Sequence, residues 1–536
     1  MGVGLGLLAL GPGLRRGFLL SYDMVAVPHE PFTRTLFGLA GGPPRAVPSD
    51  AALAVLSRVL PADIAQKLVL LSIFALACSG AVALLDREPW FARLAAGVFY
   101  TWNPFVAERL LIGQWALLLG YAGLPWALRA VITGPVASWR GAGRLGLALL
   151  PAAVGGFAAM AVSALVVLPA AVLAPGGPAR RRIGSAVSAL AVLAVASLPW
   201  LIPSMLHPVY ADPAGIVAFA ARADTPFGSL GSLLMLGGIW NAQTVPAGYG
   251  GAWSVLWLAL VLAAAAGYVA FGARQRRWPG LGVAAVAGLV VASVGVTAPG
   301  RELLRAATAL WPGFAVLRDG QQFVAPLALA EALGAGLVVA WSASPRPLRA
   351  KIAPRDGDGR QAGGVRAGGM RADRPGLAIA VALLLAPVLL LPGLAWGAAG
   401  RLRPAWYPAD WLAAARVIDG SPARGQVLLL PWAAYRRPAW NGGRTVLDPW
   451  PRLLSRQVIW NTGPRVGGVQ LRPDDPAGRA LGSVIGRSGP LTAALQTAGV
   501  RFVIVDSGGS AAGRLPGCTV IIERPGLVVY RVPGPA

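Results

Sequence analysis

The chain has 536 residues, of which 56% are hydrophobic and only 13% are charged, and its mean hydropathy is +0.61. Soluble domains carry about 25% charged residues, so this composition excludes an ordinary soluble protein and indicates that lipid surrounds much of the chain. The net charge of +25 does not indicate nucleic-acid binding, because many basic residues stand in short loops between apolar blocks, where they orient helices.

Apolar blocks predict about eleven membrane passes, if about twenty residues make one pass. The first block, 2–20, is short and is interrupted by Arg15 and Arg16, which is compatible with a start that lies upstream. The block 145–176 is too long for one pass and too short for two, and its Pro and Gly residues predict two short or broken helices. The other predicted spans are 67–85, 92–107, 111–131, 184–206, 251–273, 279–297, 322–343 and 376–397.

The basic residues predict the orientation of these spans. If the N-terminus is cytoplasmic, every basic cluster falls on the cytoplasmic side, as the positive-inside rule requires. These clusters are Arg87 with Arg93, Arg140 with Arg144, Arg180 to Arg182, Arg274 to Arg277, and the Arg-rich loop 344–374. The chain is therefore predicted to be a multi-pass protein of a bacterial plasma membrane, and the segments 21–66, 207–250, 298–320 and everything after about residue 398 are predicted to lie outside.

The sequence changes character after residue 397. Apolar runs at 426–430 (QVLLL), 501–505 (RFVIV) and 527–532 (LVVYRV) predict strands, and helical stretches such as 408–418 and 491–498 lie between them. This mixture predicts a small α/β domain. The fold class is therefore an α-helical polytopic membrane domain, residues 1–397, followed by an extracytoplasmic α/β domain, residues 398–536.

The first outer loop, 21–66, contains several acidic residues in a chain that is otherwise poor in charge. Asp23 follows the first span directly, at a depth where a carboxylate could act as general base for an incoming hydroxyl group. His29, Glu30 and Asp50 come later in the same loop. The alternative is that Asp23 caps a helix or pairs with Arg34 or Arg45.

Three short stretches carry a resemblance to a known superfamily. These are Ser21–Val27 (SYDMVAV), Trp102–Tyr121 (WNPFVAERLLIGQWALLLGY) and Leu317–Phe323 (LRDGQQF). Together with the many passes and the C-terminal domain, they resemble the GT-C membrane glycosyltransferases, in particular actinobacterial arabinofuranosyl- and mannosyltransferase-like proteins. The resemblance implies a polyprenyl-phosphate sugar as donor, a cell-envelope glycan or lipid-linked acceptor, and a reaction on the extracytoplasmic side.

By this resemblance, Asp23 takes the place of the catalytic aspartate in the first outer loop. The chain departs from the family pattern because no second acid is adjacent to Asp23, and Glu30 stands seven residues further on. No metal or other cofactor is therefore expected; two distant histidines, His29 and His207, also make a poor zinc site.

Charged residues at the predicted ends of spans are candidates for binding substrate, because charges at membrane depth are costly. Arg is suited to hold a phosphate through its planar, bidentate donors, and Arg318 is the first candidate for this role. The alternative for each group is a local ion pair that stabilises a helix end. The predicted substrate-binding residues are Arg318, Arg109, Glu108, Gln114, Asp319, Gln322, His29 and Glu30.

The leading hypothesis is an inverting glycosyltransferase in which Asp23 deprotonates the acceptor and arginines stabilise the departing lipid phosphate. The first alternative is a flippase or transporter for lipid or polysaccharide, which would need paired ionisable residues well inside the spans. Most acids here cluster at the outer ends, with Glu331 as the exception. The second alternative is a catalytically inactive scaffold with the same fold.

Overall fold

The computed structural model describes residues 1–40, 46–174, 178–206, 210–344, 374–506 and 511–534. Almost all of the predicted basic loop 344–374, and also Arg45 and His207, lie outside these residues. The described part of the chain has a helical membrane domain and a smaller α/β domain at the C-terminal end, as the composition predicts.

Helices account for most of the membrane domain. Short 3₁₀ turns at Pro312–Arg318 and Gly320–Val324 precede the helix that begins at Ala325. The helices are α1 Gly2–Leu10, α2 Ser49–Leu56, α3 Ala62–Leu84, α4 Trp90–Thr101, α5 Pro104–Leu111, α6 Trp115–Ile132, α7 Trp139–Gly155, α8 Phe157–Leu173, α9 Ala179–Leu206, α10 Ala214–Ala218, α11 Gly228–Leu234, α12 Ser254–Gly267, α13 Leu281–Val294, α14 Ala298–Leu310, α15 Ala325–Ala343 and α16 Arg374–Leu390.

Five of the described segments are long and apolar enough to cross a membrane: Ala62–Leu84, Trp115–Ile132, Ala179–Leu206, Ser254–Ala273 and Gly320–Ala343. The number rises to seven if each of two bent pairs is one span. These pairs are Leu281–Val294 with Ala298–Leu310, bent by 94°, and Gly376–Leu390 with Pro392–Gly400, bent by 53°. The protein is thus a multi-pass membrane protein, while the count of about eleven spans stays a prediction.

Two of the predicted spans are broken. The block 145–176 divides into α7 and α8 at Gly156, whose φ of +80° ends one helix and starts the next, so the prediction of two short helices is confirmed. The predicted span 92–107 was wrong as a single helix. It divides at Asn103, which begins α5 by accepting a hydrogen bond from the Val106 amide at 3.1 Å, with Pro104 in the first turn.

The C-terminal domain contains one five-stranded mixed sheet and two small hairpins. The sheet has the order β10–β11–β9–β3–β6, with β3 parallel to both β6 and β9. The strands of the sheet are β3 Gln426–Leu430, β6 Val458–Ile459, β9 Val500–Asp506, β10 Thr519–Arg524 and β11 Leu527–Arg531, and the hairpins are β4 Tyr435–Arg436 with β5 Val446–Leu447, and β7 Arg465–Val466 with β8 Val469–Gln470. The helices are α17 Ala409–Gly420, α18 Trp450–Leu453, α19 Pro476–Ile485 and α20 Thr492–Thr497.

Both faces of β3 are covered, which explains its unbroken apolar sequence. Val427 and Leu429 belong to the large core that continues into the membrane domain. Leu428 and Leu430 belong to a second core, which includes Leu481 of α19. The small domain is therefore fused to the membrane domain through a shared hydrophobic core.

The two ends of the membrane domain are joined by a short strand pair. β1, Phe18–Leu19, follows the first helix, and β2, Pro404–Ala405, follows the last one. They pair antiparallel, with Phe18 opposite Ala405. The first outer loop thereby starts beside the C-terminal domain.

Candidate active site

The backbone of the first outer loop is attached to the segment 109–115. The Asp23 amide donates to the Ile112 carbonyl oxygen at 3.0 Å, and the Ser21 hydroxyl donates to the Leu111 carbonyl oxygen at 2.6 Å. Two of the stretches that carry the family resemblance, around Asp23 and around Arg109, are thus in direct contact. The contact fixes the position of Asp23 relative to the end of α5.

Gly113 allows this close approach. A Cβ atom at Gly113 would lie 2.2 Å from the Met24 amide nitrogen and 2.4 Å from the Ser21 carbonyl oxygen. The φ of Gly113 is also +84°, a conformation that other residues rarely adopt. The glycine in the GQW sequence is therefore required where the two segments touch.

A polar network connects the same segment to the third resembling stretch. Arg109 donates from Nη1 to Gln114 Oε1 at 2.8 Å, and this nitrogen lies 3.8 Å from Asp319 Oδ1. Gln114 Nε2 is 3.5 Å from Asp319 Oδ2, and the Gln321 amide also donates to Asp319. Three predicted site residues, Arg109, Gln114 and Asp319, are therefore brought together.

Arg109 occupies the buried end of this network. Its side chain is 1% exposed, and its Nε and Nη2 atoms have no hydrogen-bond partner among the described residues. Asp319 is 20% exposed and lies on the accessible side. In this conformation Arg109 can orient Gln114 and Asp319, while its own side chain is covered.

Arg318 lies on another side of the same turn. Its guanidinium group stacks on the ring of Phe219 at 4.8 Å and lines a small cavity. Asp23 is not among the residues that line this cavity. This cavity therefore does not connect Arg318 with Asp23. The other lining residues come from the segment before α11 and from the C-terminal domain: Tyr210, Asp212, Pro464, Leu471, Arg472 and Asp474.

An apolar groove includes the residue that follows the polar network in the chain. It contains about 610 Å³ of empty space, and every residue that lines it is apolar. Trp115, the neighbour of Gln114 in the chain, is one of them. The others come from α2, α3, α6 and α7: Ala52, Leu53, Val55, Leu56, Val69, Leu119 and Val154. Gln114 of the polar network and Trp115 of the apolar groove are thus consecutive residues of the chain.

The C-terminal domain also reaches Asp23. The Tyr435 hydroxyl donates a hydrogen bond to Asp23 Oδ1. The ring of Tyr435 meets the ring of Tyr22 edge-on, with centroids 5.9 Å apart. Tyr435 stands in a stretch rich in Trp and Tyr, and no pattern in the sequence singles it out.

Glu108 points away from the accessible side. It is 1% exposed, and its carboxyl group interacts with that of Asp224 and with Arg109. Asp224 also accepts a hydrogen bond from the Gly238 amide. The contact between Asp224 and Glu108 could not be predicted, because an acid in a glycine-rich loop has no local signal for a buried partner. Gln322 is also buried, and its amide donates to the Val316 carbonyl oxygen at 3.0 Å.

His29 and Glu30 are separate from this network. His29 is exposed, and its side chain makes no hydrogen bond or ion pair with another described residue. Glu30 Oε1 lies 3.8 Å from Arg452 Nε, and Arg452 also pairs with Asp50 at 2.5 Å. Burial and the nearby Asp50 carboxylate raise the pKa of Glu30 to about 8, although Arg452 opposes this shift. Burial likewise raises the pKa of Asp50. This loop clamp, Glu30–Asp50–Arg452, ties the outer loop to the C-terminal domain.

The tryptophans of the C-terminal domain pack mainly against one another. Trp411 stacks on Trp450 with centroids 4.5 Å apart, and both are at most 3% exposed. Trp440 contacts Trp411 at 5.3 Å. These three rings therefore pack the C-terminal domain. Within the described residues, no group of three or more His, Cys, Asp or Glu side chains could hold a metal ion.

Comparison with solved structures identifies the architecture. The cryo-EM structure of the arabinofuranosyltransferase AftD from Mycobacteria matches all of this chain with a TM-score of 0.58 at 16% identity. The protein has the GT-C fold. Two structures of a mutant form of the same enzyme match all of this chain with TM-scores of 0.59 and 0.55 at 17% and 16% identity.

The resemblance to GT-C proteins predicted from the sequence is confirmed at the level of the fold. The chain spans about two fifths of these larger proteins, with 39% of AftD and 41% of each mutant structure covered. No family model matches the chain, and no curated protein matches its sequence. The GT-C fold places the segments 21–24, 109–115 and 317–323 at one end of the helices, where they contact each other and the C-terminal domain.

Proposed function

We propose that this protein is a membrane glycosyltransferase that transfers a sugar from a polyprenyl-phosphate donor to a cell-envelope glycan or lipid-linked acceptor outside the membrane. The observation that carries the proposal is the segment 109–115. It holds Asp23 through Ile112, joins Asp319 through Gln114, and lines the apolar groove through Trp115. A lipid-linked sugar needs this combination of a carboxylate, a polar region and an apolar channel.

The proposed reaction is a single displacement with inversion. An acceptor hydroxyl attacks the anomeric carbon of the donor sugar while its proton moves to the Asp23 carboxylate. The bond between the anomeric carbon and the phosphate oxygen breaks, and its electron pair leaves with the polyprenyl phosphate. Arg318, which lines a cavity, would bind the phosphate, and Arg109 would hold Gln114 and Asp319 in place.

The apolar groove supports the choice of donor. A hydrocarbon chain can pack against the side chains that line the groove, because all of them are apolar. No polar atom of the lining would then be buried without a hydrogen-bond partner. The polar headgroup would then lie near Gln114, the neighbour of Trp115 in the chain. The similarity to AftD supports arabinofuranose as the first donor sugar to test, with mannose as the second.

The first prediction concerns Asp23. In the purified full chain, Asp23→Asn should lower kcat for transfer from a radiolabelled polyprenyl-phosphate sugar by about 10²- to 10⁴-fold, the usual contribution of a general base. The KM for the donor should change little, because the substitution keeps the size and shape of the side chain. Asp410→Asn, at an exposed position on α17, is the matched control and should keep the normal rate. Full transfer by Asp23→Asn would exclude the mechanism.

A further inference from the structure

Tyr22, the residue before Asp23, pairs through its backbone with a hairpin of the C-terminal domain. Strands β4 and β5 pair antiparallel, with Tyr435 opposite Leu447. Tyr22 forms a single β-bridge with Val446 of β5. Its amide donates to the Thr445 carbonyl oxygen at 2.8 Å, and its carbonyl oxygen accepts from the Leu447 amide at 2.8 Å. The candidate base is therefore one residue away from a backbone pairing between the two domains.

The hairpin is anchored in its own domain by the residue next to Tyr435. Arg436 is 6% exposed, forms an ion pair with Asp448 and lies 3.4 Å from Asp506 at the end of β9. Its guanidinium group also donates to the Leu430 carbonyl oxygen at the end of β3. Arg436 thus fixes the hairpin to the ends of two central strands of the sheet.

Neighbouring residues of a strand point to opposite faces, so an inward Arg436 directs Tyr435 outward. Outward from this hairpin lies Asp23, and the Tyr435 hydroxyl donates to its Oδ1 atom. The Tyr22 ring packs against the edge of the Tyr435 ring and limits its rotation. The hydroxyl is thus presented to the carboxylate by a rigid support rather than by a flexible loop.

We infer that Tyr435 is a positioning residue for the proposed transfer reaction, so that the active site is shared between the membrane domain and the C-terminal domain. This inference rests on the proposed function of Asp23. The hydrogen bond stabilises the carboxylate and holds it in one orientation, and a base that is held in one orientation takes up a proton from a bound hydroxyl more often than a mobile one. Tyr435 acts through Asp23 and does not exchange a proton itself.

The test is a double-mutant cycle on transfer in the full chain. Tyr435→Phe removes only the hydroxyl group and should lower kcat by about 10-fold or more, the effect of losing a hydrogen bond to a charged group, with the donor KM nearly unchanged. In an Asp23→Ala background the same substitution should have no further effect on kcat. Tyr530→Phe makes the same chemical change in the buried sheet of the same domain and should leave kcat unchanged.

A second cycle, on the apparent Tm of the purified chain, separates this inference from the proposed function. If Tyr435 and Asp23 are coupled, the fall in Tm of the Tyr435→Phe/Asp23→Ala double variant will be smaller than the sum of the two single falls. If the two substitutions are coupled in Tm but the wild-type chain transfers no sugar, the proposed function and the positioning role are both refuted. The hydrogen bond between Tyr435 and Asp23 would still be supported. Independent effects of the two substitutions on kcat or on Tm would overturn the inference.

Discussion

At the scale of single residues, Gly113 is the most restrictive position of the candidate site. The atoms that a new Cβ would meet are backbone atoms of Ser21 and Met24, so rotation of a side chain cannot relieve the clash. Any larger residue must therefore separate the segment 109–115 from the turn that carries Asp23.

We expect Gly113→Ala to abolish transfer and to lower the apparent Tm by several degrees, because contact with the 21–24 turn is lost and the φ of +84° is strained. Gly143→Ala is the matched control. Gly143 lies inside α7, and a Cβ there meets nothing within 4 Å. Alanine in an exposed helix interior stabilises by about 0.5–1 kcal/mol relative to glycine, so the control should be fully active and at least as stable. An active Gly113→Ala protein would show that the two segments need not touch.

The sequence predicted part of this site because its residues lie in short, charge-containing stretches of an apolar chain. Asp23, Arg109, Gln114 and Asp319 were selected in this way, and the structure brings the last three into one network. Tyr435 could not be predicted, because its bond to Asp23 joins residues 412 positions apart. No local pattern encodes a contact over that distance.

At the scale of elements, the groove between α2, α3, α6 and α7 should decide how the lipid chain of the donor binds. Leu119→Trp adds a large ring to its wall. The KM for a donor with a full-length polyprenyl chain should rise by about 10-fold, whereas a donor with a two-isoprene chain should be affected little, because a short chain leaves the deeper groove empty.

The control is Leu190→Trp on α9, where the side chain is exposed on the outside of the helical domain. It makes the same change in size without lining the groove. Transfer kinetics with the two donors measure both effects. An equal rise in KM for the long and the short donor would indicate damage to the headgroup region and would contradict this role of the groove.

Some helix breaks and strands have a signal in the local sequence, and others have none. Gly156 lies in a block whose length excluded a single pass, and the break there was predicted. The break at Asn103 was missed, although Asn followed by Pro is a typical beginning of a helix. The strands β3, β9 and β11 were predicted because each is an apolar run of four or more residues, whereas the two-residue strands β1, β2, β4 and β5 have no such pattern and depend on tertiary pairing.

At the scale of the whole molecule, the loop clamp predicts how pH affects the joining of the two domains. The pKa of Glu30 is raised from 4.5 to about 8, so the folded protein holds a proton on Glu30 that the unfolded chain would lose above about pH 4.5. The free energy of unfolding therefore falls as pH rises between these values and levels off above about 8. The raised pKa of Asp50 acts in the same direction.

We expect the apparent Tm of the purified chain to be lower at pH 8.5 than at pH 5.5, measured in a single detergent at constant ionic strength. Glu30→Gln, which stays neutral at both values, should remove much of this difference. Glu523→Gln, at an exposed position in β10, should keep it. A Tm difference that is the same in the Glu30→Gln protein as in the wild type would show that the clamp does not govern the pH dependence.

The fold class of the whole molecule followed from composition and from the change of pattern near residue 398, which are properties of long segments. Composition and the change of pattern do not predict how the two domains pack against each other. It depends on individual pairs such as Arg452 with Asp50 and Tyr407 with Ala26, whose partners are separated by most of the chain. The side of the membrane on which the joined domains lie is still a prediction from the basic loops.

The strand pair between β1 and β2 has a consequence for biosynthesis. The ribosome makes Phe18 and Leu19 before the helices α2 to α16, whereas Pro404 and Ala405 follow α16. During most of translation, the nascent chain therefore carries Asp23 next to an unpaired strand. If Asp23 is the proposed base, its carboxylate would reach its final place only after β2 has been made and has paired with β1, so that shorter nascent chains stay inactive toward lipid-linked sugars in the same membrane.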